Sequence, residues 1–442
     1  MHIGIRRLLV LGSGAAVLAG AGGLTSAMSA APSSSGTQAT LDGATATPTA
    51  APTPVNDASV TSGPVPTTCA GPVVNSNGTI TFCLTAPAAT NVVLNFQNML
   101  GASPAFTALP MTETASGGIW YITVEPPAGP NWYGYNFTVD GAQVADPDNR
   151  NISSSVNGSW SQVMVPGTAA DYMAETNVPH GAVSTVYYYS PFAKSEREMQ
   201  VYTPPGYNSS GRPYPVLYLL HGYGGNDTDW IADMRTNFIL DNLIADHQAV
   251  PMIVVMPDAN VGAYPNGEPA PFTSAATDQF VQDELTPTII PYMEANYRVL
   301  PGAQNRAMAG LSLGSVNTRD AMFLDTNEFA YYGLFSWGFM TPAIVTDLQQ
   351  NHPQLISNVI QAEQDHQIKL LWISAGGEEI SGAVFGSGIT VQETLTAFDQ
   401  LGIHYTYDPG PAFGAIYGHV WDVWRLDLLQ FAPQLFQPQP FH

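Results

Sequence analysis

Hydrophobic positions follow two different rhythms along this chain, and the change comes near residue 180. Between Gly71 and about Tyr172 the period is two. Thr79-Ile80-Thr81-Phe82-Cys83-Leu84 alternates, as does Ile119-Trp120-Tyr121-Ile122-Thr123-Val124, and Tyr133, Tyr135, Phe137 and Val139 share one face of a third stretch that ends at Asp140-Gly141. Short alternating runs separated by Pro, Gly and Asn clusters predict strands of a small β-sandwich. Beyond His180 the apolar runs become continuous: Tyr214–His221, Pro251–Pro257 and Lys369–Ser374. Such runs predict strands buried on both faces of a parallel sheet. Helix-like stretches over Asn237–Asp246, Asp278–Asn296 and Thr390–Leu401 lie between them, and Phe280, Leu285, Ile289, Tyr292 and Met293 mark an apolar stripe on the second. Strands alternating with helices predict a doubly wound α/β domain.

The first 68 residues fit neither rhythm. Arg6 and Arg7 precede an apolar stretch from Leu8 to about Leu24, followed by Ser26, Ala27, Ser29 and Ala30. A basic start, an apolar middle and a small-residue end predict a secretory signal peptide over 1–30, and with it a secreted protein that has no stable membrane insertion after cleavage. Residues 31–68 hold almost no large apolar side chain, cannot repay their ordering entropy, and are expected to be a mobile linker. Cys69 and Cys83 are the only cysteines. In an oxidising compartment a pair this close is expected to form a disulfide. The expected organisation is therefore a β domain over 69–172 and an α/β domain over 173–442.

Composition removes some functions. Among 442 residues there are 12 Lys+Arg against 35 Asp+Glu, a formal charge of −23, and only 11% of residues are charged. Phosphate neutralisation needs clustered cations, so nucleic acid is excluded as a partner, and so is an anionic membrane surface. Few groups that protonate and repel one another suit an acidic extracellular setting.

The chemistry gathers in the second unit. Gly310-Leu311-Ser312-Leu313-Gly314 follows the apolar Ala307-Met308-Ala309. A G-x-S-x-G string after a strand is the turn that exposes a nucleophilic serine, with small flanking residues permitting close backbone approach. A serine hydroxyl needs an adjacent base, and the chain order for such a fold is Ser, then Asp/Glu, then His. Of the histidines after Ser312, His352 and His366 lie in polar helix, His404 enters an edge strand and His442 is terminal. His419 sits in a loop before a final helix, where Trp421 and Trp424 could pack its ring. Glu378 or Glu379, after the Leu370–Ser374 strand, would orient the imidazole; Asp422 is read instead as a cap of the last helix. Oxyanion donors are expected from the Leu313 amide and from Gly222 or Tyr223 in His221-Gly222-Tyr223-Gly224-Gly225, with His221 bracing that loop. No metal and no organic cofactor is implied.

Several blocks carry a family likeness. PGYNSSGRPYPVLYLLHGYGGNDTDW (Pro205 to Trp230), Asn296-Tyr-Arg-Val, Asn305-Arg-Ala-Met-Ala-Gly-Leu-Ser-Leu-Gly314 and the block Gly418-His-Val-Trp-Asp-Val-Trp-Arg425 resemble secreted feruloyl and acetylxylan esterases. The wider group includes enterochelin esterases, S-formylglutathione hydrolases and mycolyltransferases of the antigen 85 type. The resemblance implies an α/β-hydrolase fold over roughly 180–440. It also implies Ser312 as nucleophile, His419 as base and Glu379 as acid, in a position where the family has Asp; Glu378 is the alternative acid. Ser-Leu-Gly-Ser315 departs from the family's Ser-Met-Gly-Gly, which bears on the turn after the nucleophile. Trp132-Tyr-Gly-Tyr-Asn-Phe-Thr-Val-Asp-Gly141 resembles an early-set immunoglobulin-like domain. Its aromatics are either exposed sugar platforms or core of a unit that supports the next one. The substrate implied is a feruloyl or acetyl ester of plant polysaccharide. The alternatives are a siderophore ester, acyl transfer to a sugar, or a non-catalytic glycan-binding protein.

Overall fold

The computed structural model describes residues 58–97, 106–155, 158–260, 280–336, 338–382, 388, 390–409 and 418–437. The expected signal peptide, most of the expected linker, and the segment 410–417 before His419 lie outside them.

The first unit is all β. Its strands are β1 (Ser59–Thr61), β2 (Val73–Val74), β3 (Ile80–Thr85), β4 (Val92–Gln97), β5 (Phe106–Pro110), β6 (Thr112–Glu113), β7 (Ile119–Glu125), β8 (Asn131–Val139), β9 (Ala142–Val144), β10 (Ile152–Ser155) and β11 (Gly158–Val165). They form two antiparallel sheets. In one, β7 pairs with β3, β6 and β1, with β2 beyond β3; the other runs β10-β11-β8-β4-β5 with β9 on β8. β1 corrects the linker boundary: Ser59–Thr61 pairs with Thr123–Glu125, so the low-complexity stretch already contributes an edge strand. Backbone pairing, which needs no large side chain, explains why composition did not reveal it. Cys69 and Cys83 form a disulfide with a Cα–Cα distance of 5.6 Å.

Alternation in β8 is real but both faces are covered. Tyr133, Tyr135 and Phe137 fill the space between the sheets, packed on Phe82 and Phe96. Trp132, on the opposite face, is buried too and donates its indole N–H to the Ala232 carbonyl of the second unit at 3.2 Å. The aromatics of β8 are therefore core.

The second unit is built on a mixed eight-stranded sheet. Its strands are β12 (Ala182–Ser190), β13 (Ser195–Thr203), β14 (Val216–Leu220), β15 (Ile253–Pro257), β16 (Arg306–Leu311), β17 (Tyr331–Phe335), β18 (Leu370–Ser374) and β19 (Thr406–Asp408), in the spatial order β12-β13-β15-β14-β16-β17-β18-β19. β12 and β13 are antiparallel to their neighbours and the remainder run parallel. Neighbouring residues of the central strands serve two cores. Leu217, Leu219, Val254 and Ala309 join the cluster that continues into the β unit, while Val216, Tyr218, Ile253 and Met308 join the one under the opposite helices. Helices occupy Thr236–Ala245, Val391–Leu401 and Ile290–Asn296, the last entered through a π-helical stretch Phe280–Ile289 that contains Pro287.

The units share one hydrophobic core and a polar seam. Arg425, fully buried in the helix Trp421–Phe431, donates to the Asp233 carbonyl from Nε (3.0 Å) and Nη2 (2.9 Å) and to Asp422 from Nη1 (2.9 Å). Asp422 also accepts from Asn131 and Gln97 of the β unit. It is thus not the helix cap: Val420 holds that position, and Asp422 bridges the two units. Burial raises its pKa, against the pull of Arg425 and Asn131. Asp233 accepts from Ser153 (2.7 Å), Trp160 (2.9 Å) and Gln162 (2.5 Å).

Candidate active site

Ser312 stands at the carboxyl end of β16, in the turn that enters the helix Leu313–Leu324. Its backbone is in a strained conformation, φ 53° and ψ −114°, rare for any residue with a side chain. Both flanking glycines are required by contact. A Cβ on Gly310 would stand 2.5 Å from the Gly314 carbonyl carbon, and one on Gly314 would stand 2.7 Å from the carbonyl oxygens of Leu220 and His221. The Ser312 amide donates to the Phe335 carbonyl at 3.0 Å, which ties the turn to β17. Ser315 does not disturb this turn. It is fully buried, donates from Oγ to the Ser312 carbonyl at 2.5 Å and accepts the Gly338 amide at 3.2 Å.

His419 comes in from the start of the last helix and is 8% exposed. Its Nδ1 lies 2.6 Å from Glu379 Oε1, and Glu379 is completely buried. Glu378 meets a different part of the same residue: its Oε2 accepts the His419 backbone amide at 3.0 Å. The two glutamates therefore divide the work, one on the ring and one on the main chain, and the ring partner is Glu379. Both lie in the short helix Gly377–Ser381 directly after β18. Trp424 packs edge-on against the His419 ring with centroids 4.9 Å apart, and its indole donates to Ser336 Oγ at 2.7 Å. Ser336 follows β17 and its carbonyl lies 3.4 Å from Ser315 Oγ, so bonded neighbours link the histidine to the serine turn. Trp421 does not pack on His419. It stacks on Trp160 of the β unit, centroids 5.2 Å apart, because the helix periodicity turns it toward the seam.

The glycine loop after β14 closes over the serine. A Cβ on Gly222 would stand 3.3 Å from Ser312 Cβ and 2.6 Å from Leu311 Cδ1, so only glycine allows this approach. His221 is buried beneath it, with Nδ1 2.7 Å from the Gly222 carbonyl and Nε2 accepting the Ala259 amide at 2.9 Å. It braces the loop. Leu313 opens its helix, so its amide has no acceptor within that helix and faces the region where negative charge is stabilised by the helix end. His352 and His366 lie away from this cluster at helix ends, and His404 is exposed beside Glu363. Ser336 had no signal in the sequence, because it acts through a contact with Trp424, 88 positions away; Ser315 was marked only as a departure from the family's motif.

Residues 190–435, more than half of the chain, match the family described as "Putative esterase". A curated relative from Xylanibacter ruminicola, an endo-1,4-beta-xylanase/feruloyl esterase, is 34% identical over 281 residues, covering 62% of this chain and 37% of its own length. The chain thus spans little more than a third of that relative. An esterase of Mycobacterium tuberculosis is 39% identical over 118 residues, covering 26% of this chain and 24% of its own length. The enterobactin esterase of Shigella flexneri superposes with a TM-score of 0.53 at 16% identity, covering 84% of this chain and 96% of its own. That coverage is too large for the second unit alone, so the likeness in fold extends into the β unit.

Proposed function

This chain belongs to the putative esterase family, and from that premise we propose a carboxylic-ester hydrolase, a secreted serine esterase that cleaves feruloyl or acetyl esters of plant polysaccharide. The observation that carries the catalytic part is the buried 2.6 Å contact between His419 and Glu379, linked through Trp424, Ser336 and Ser315 to a serine held at positive φ.

In the proposed mechanism Ser312 Oγ attacks the ester carbonyl carbon while His419 Nε2 takes the hydroxyl proton. Glu379 fixes the tautomer with the proton on Nδ1 and stabilises the imidazolium that forms. The tetrahedral oxyanion is held by the amides of Leu313 and of Tyr223 or Gly222. As the carbon–oxygen bond to the alcohol breaks, His419 returns its proton to the leaving oxygen. Water then attacks the acyl-serine with His419 again as base, which releases the acid and restores Ser312.

The polysaccharide-ester reading is supported by the Xylanibacter relative. Export is supported by the basic, apolar and small-residue order of residues 1–30 and by the Cys69–Cys83 disulfide. The immunoglobulin-like reading of the β unit is supported by strand order, with β2-β3-β7-β6 facing β5-β4-β8-β11. Side-by-side turnover of methyl ferulate, acetylated xylan and a catecholate triester tests the substrate. Activity on the first or second supports the reading, and turnover confined to the triester overturns it in favour of siderophore hydrolysis.

A further inference from the structure

Aromatic side chains are unevenly exposed in this molecule. Among the described residues, the aromatics that stand out to solvent are Tyr187 (64%), Tyr189 (61%) and Tyr223 (54%). All three belong to the second unit, whereas the described aromatics of the β unit are buried or half-buried.

Sheet register puts them at one end. Pro257, the last residue of β15, is level with Met199 of β13, and Met199 is level with Val186 of β12. Tyr187 and Tyr189 therefore lie beyond the carboxyl ends of the parallel strands, the end at which Ser312 follows β16. Tyr223 lies in the loop that closes over Ser312. From β16 to β12 there are four strand spacings of about 4.8 Å, so the aromatic edge is roughly 19 Å from the nucleophile's strand.

The strand that carries the two edge tyrosines is pinned from its other face. These tyrosines alternate with Tyr188 and Ser190, whose hydroxyls donate to the fully buried Glu284 at 2.8 Å and 2.5 Å. With the inward residues pinned, the outward ones lose little further freedom on binding a ligand. The surface is also continuous with the active-site loop. Thr185, on the same face as Tyr187, donates to Gln200, which donates to Asp227 at 2.7 Å. Across from Tyr187 and Tyr189 stand Glu198 and Glu196. Glu198, with Asp227 further off, pushes the Tyr187 hydroxyl pKa up.

We propose that Tyr187 and Tyr189, flanked by Glu196 and Glu198, form an outlying subsite for the neutral pyranose rings of the polysaccharide that carries the ester. Sugar rings present apolar C–H faces to an aromatic ring and hydroxyl donors to carboxylates, and an acidic aromatic strip matches both. The same carboxylates repel an anionic chain. Arg197, between them in sequence, points away and donates to the carbonyls of Asp258 and Asn260. This inference rests on the polysaccharide-ester reading and gives that reading its alcohol side.

The test uses the full chain in two formats. In native gels containing arabinoxylan, the Ser312→Ala protein should be retarded; Tyr187→Ala/Tyr189→Ala in that background should lose the retardation, and Tyr187→Phe/Tyr189→Phe should keep it. In active protein, the alanine pair should lower kcat/KM on feruloylated arabinoxylan about tenfold more than on methyl ferulate. Retardation that survives the alanine pair, equal losses on both substrates, or retardation abolished by added NaCl would each overturn the subsite. No turnover of methyl ferulate or of the polymer by the unsubstituted chain would instead sink the functional reading, while the gel arm still tests the surface.

Discussion

Two polar constellations share the helix Trp421–Phe431 and its approach, and they are built on opposite terms. At the candidate active site the groups are few and the backbone is strained. Ser312 sits at φ 53°, and the buried Glu379 spends one carboxylate oxygen on His419 while Oε2 has no partner among the described residues. At the seam between the units the groups are many and well paired. Arg425 bonds from Nε, Nη1 and Nη2, and both oxygens of Asp233 and of Asp422 accept. Strain at a reaction site persists only when its surroundings over-determine it. Here the surroundings include a second unit: the β unit grips the first two turns of the helix whose preceding residues hold His419. What the β unit supplies to the candidate site is the fixed position of that helix.

The comparison breaks first if chemistry does not follow the strained cluster. Ser312→Ala should lower kcat on an ester substrate by about 10³-fold or more, and Glu379→Gln by a similar order, since the tautomer on His419 is lost. Glu378→Gln should cost less than about tenfold, because a main-chain bond is weakened and the ring is left in place. Stopped assays with p-nitrophenyl acetate measure all three. Next comes the seam. Asp422→Ala leaves Arg425 buried with its charge uncompensated and should destabilise by about 3–5 kcal/mol, read from urea unfolding. Its kcat should fall as well, in step with loosening of the helix behind His419.

A pH profile sharpens the contrast further. Burial, with Asp229 alongside, raises the Asp233 pKa above its ordinary value, and burial raises that of Asp229. An unfolded Asp titrates near about 3.9, so between there and the raised values the folded chain holds more protons than the unfolded one. Stability from these groups is therefore present at low pH and is lost as pH rises from about 4 into the neutral range. The urea midpoint should be higher at acid pH, and Asp233→Asn should flatten the dependence. The smallest effect expected is Ser315→Ala, which removes the bond to the Ser312 carbonyl and the acceptor of the Gly338 amide and should cost about 1–2 kcal/mol.

The sequence carried the reaction centre further than it carried the seam. G-x-S-x-G, the order of Ser, Glu and His, and the glycine loop are local signals, and the structure brings Glu379 to His419 and Gly222 to Ser312. The buried strand runs β14, β15 and β18 were legible for the same reason. β17 was not: Tyr331-Tyr-Gly-Leu-Phe335 has a glycine at its centre, which interrupts a run of only five residues. The edge strand β12 is mostly exposed and lacks the apolar contrast that marks a buried strand. Asp422 was misread because its partner Asn131 lies 291 positions away, a pairing no local pattern contains. Trp421 was misassigned on the same grounds, since its partner Trp160 belongs to the other unit.

Fluorophosphonate labelling followed by peptide mass analysis addresses the central claim most directly. The account predicts a single adduct on Ser312, formed rapidly in the unsubstituted chain and in Glu378→Gln, and slowed by orders of magnitude in Glu379→Gln and His419→Ala. An adduct on another serine, or equal labelling rates in Glu378→Gln and Glu379→Gln, would contradict it.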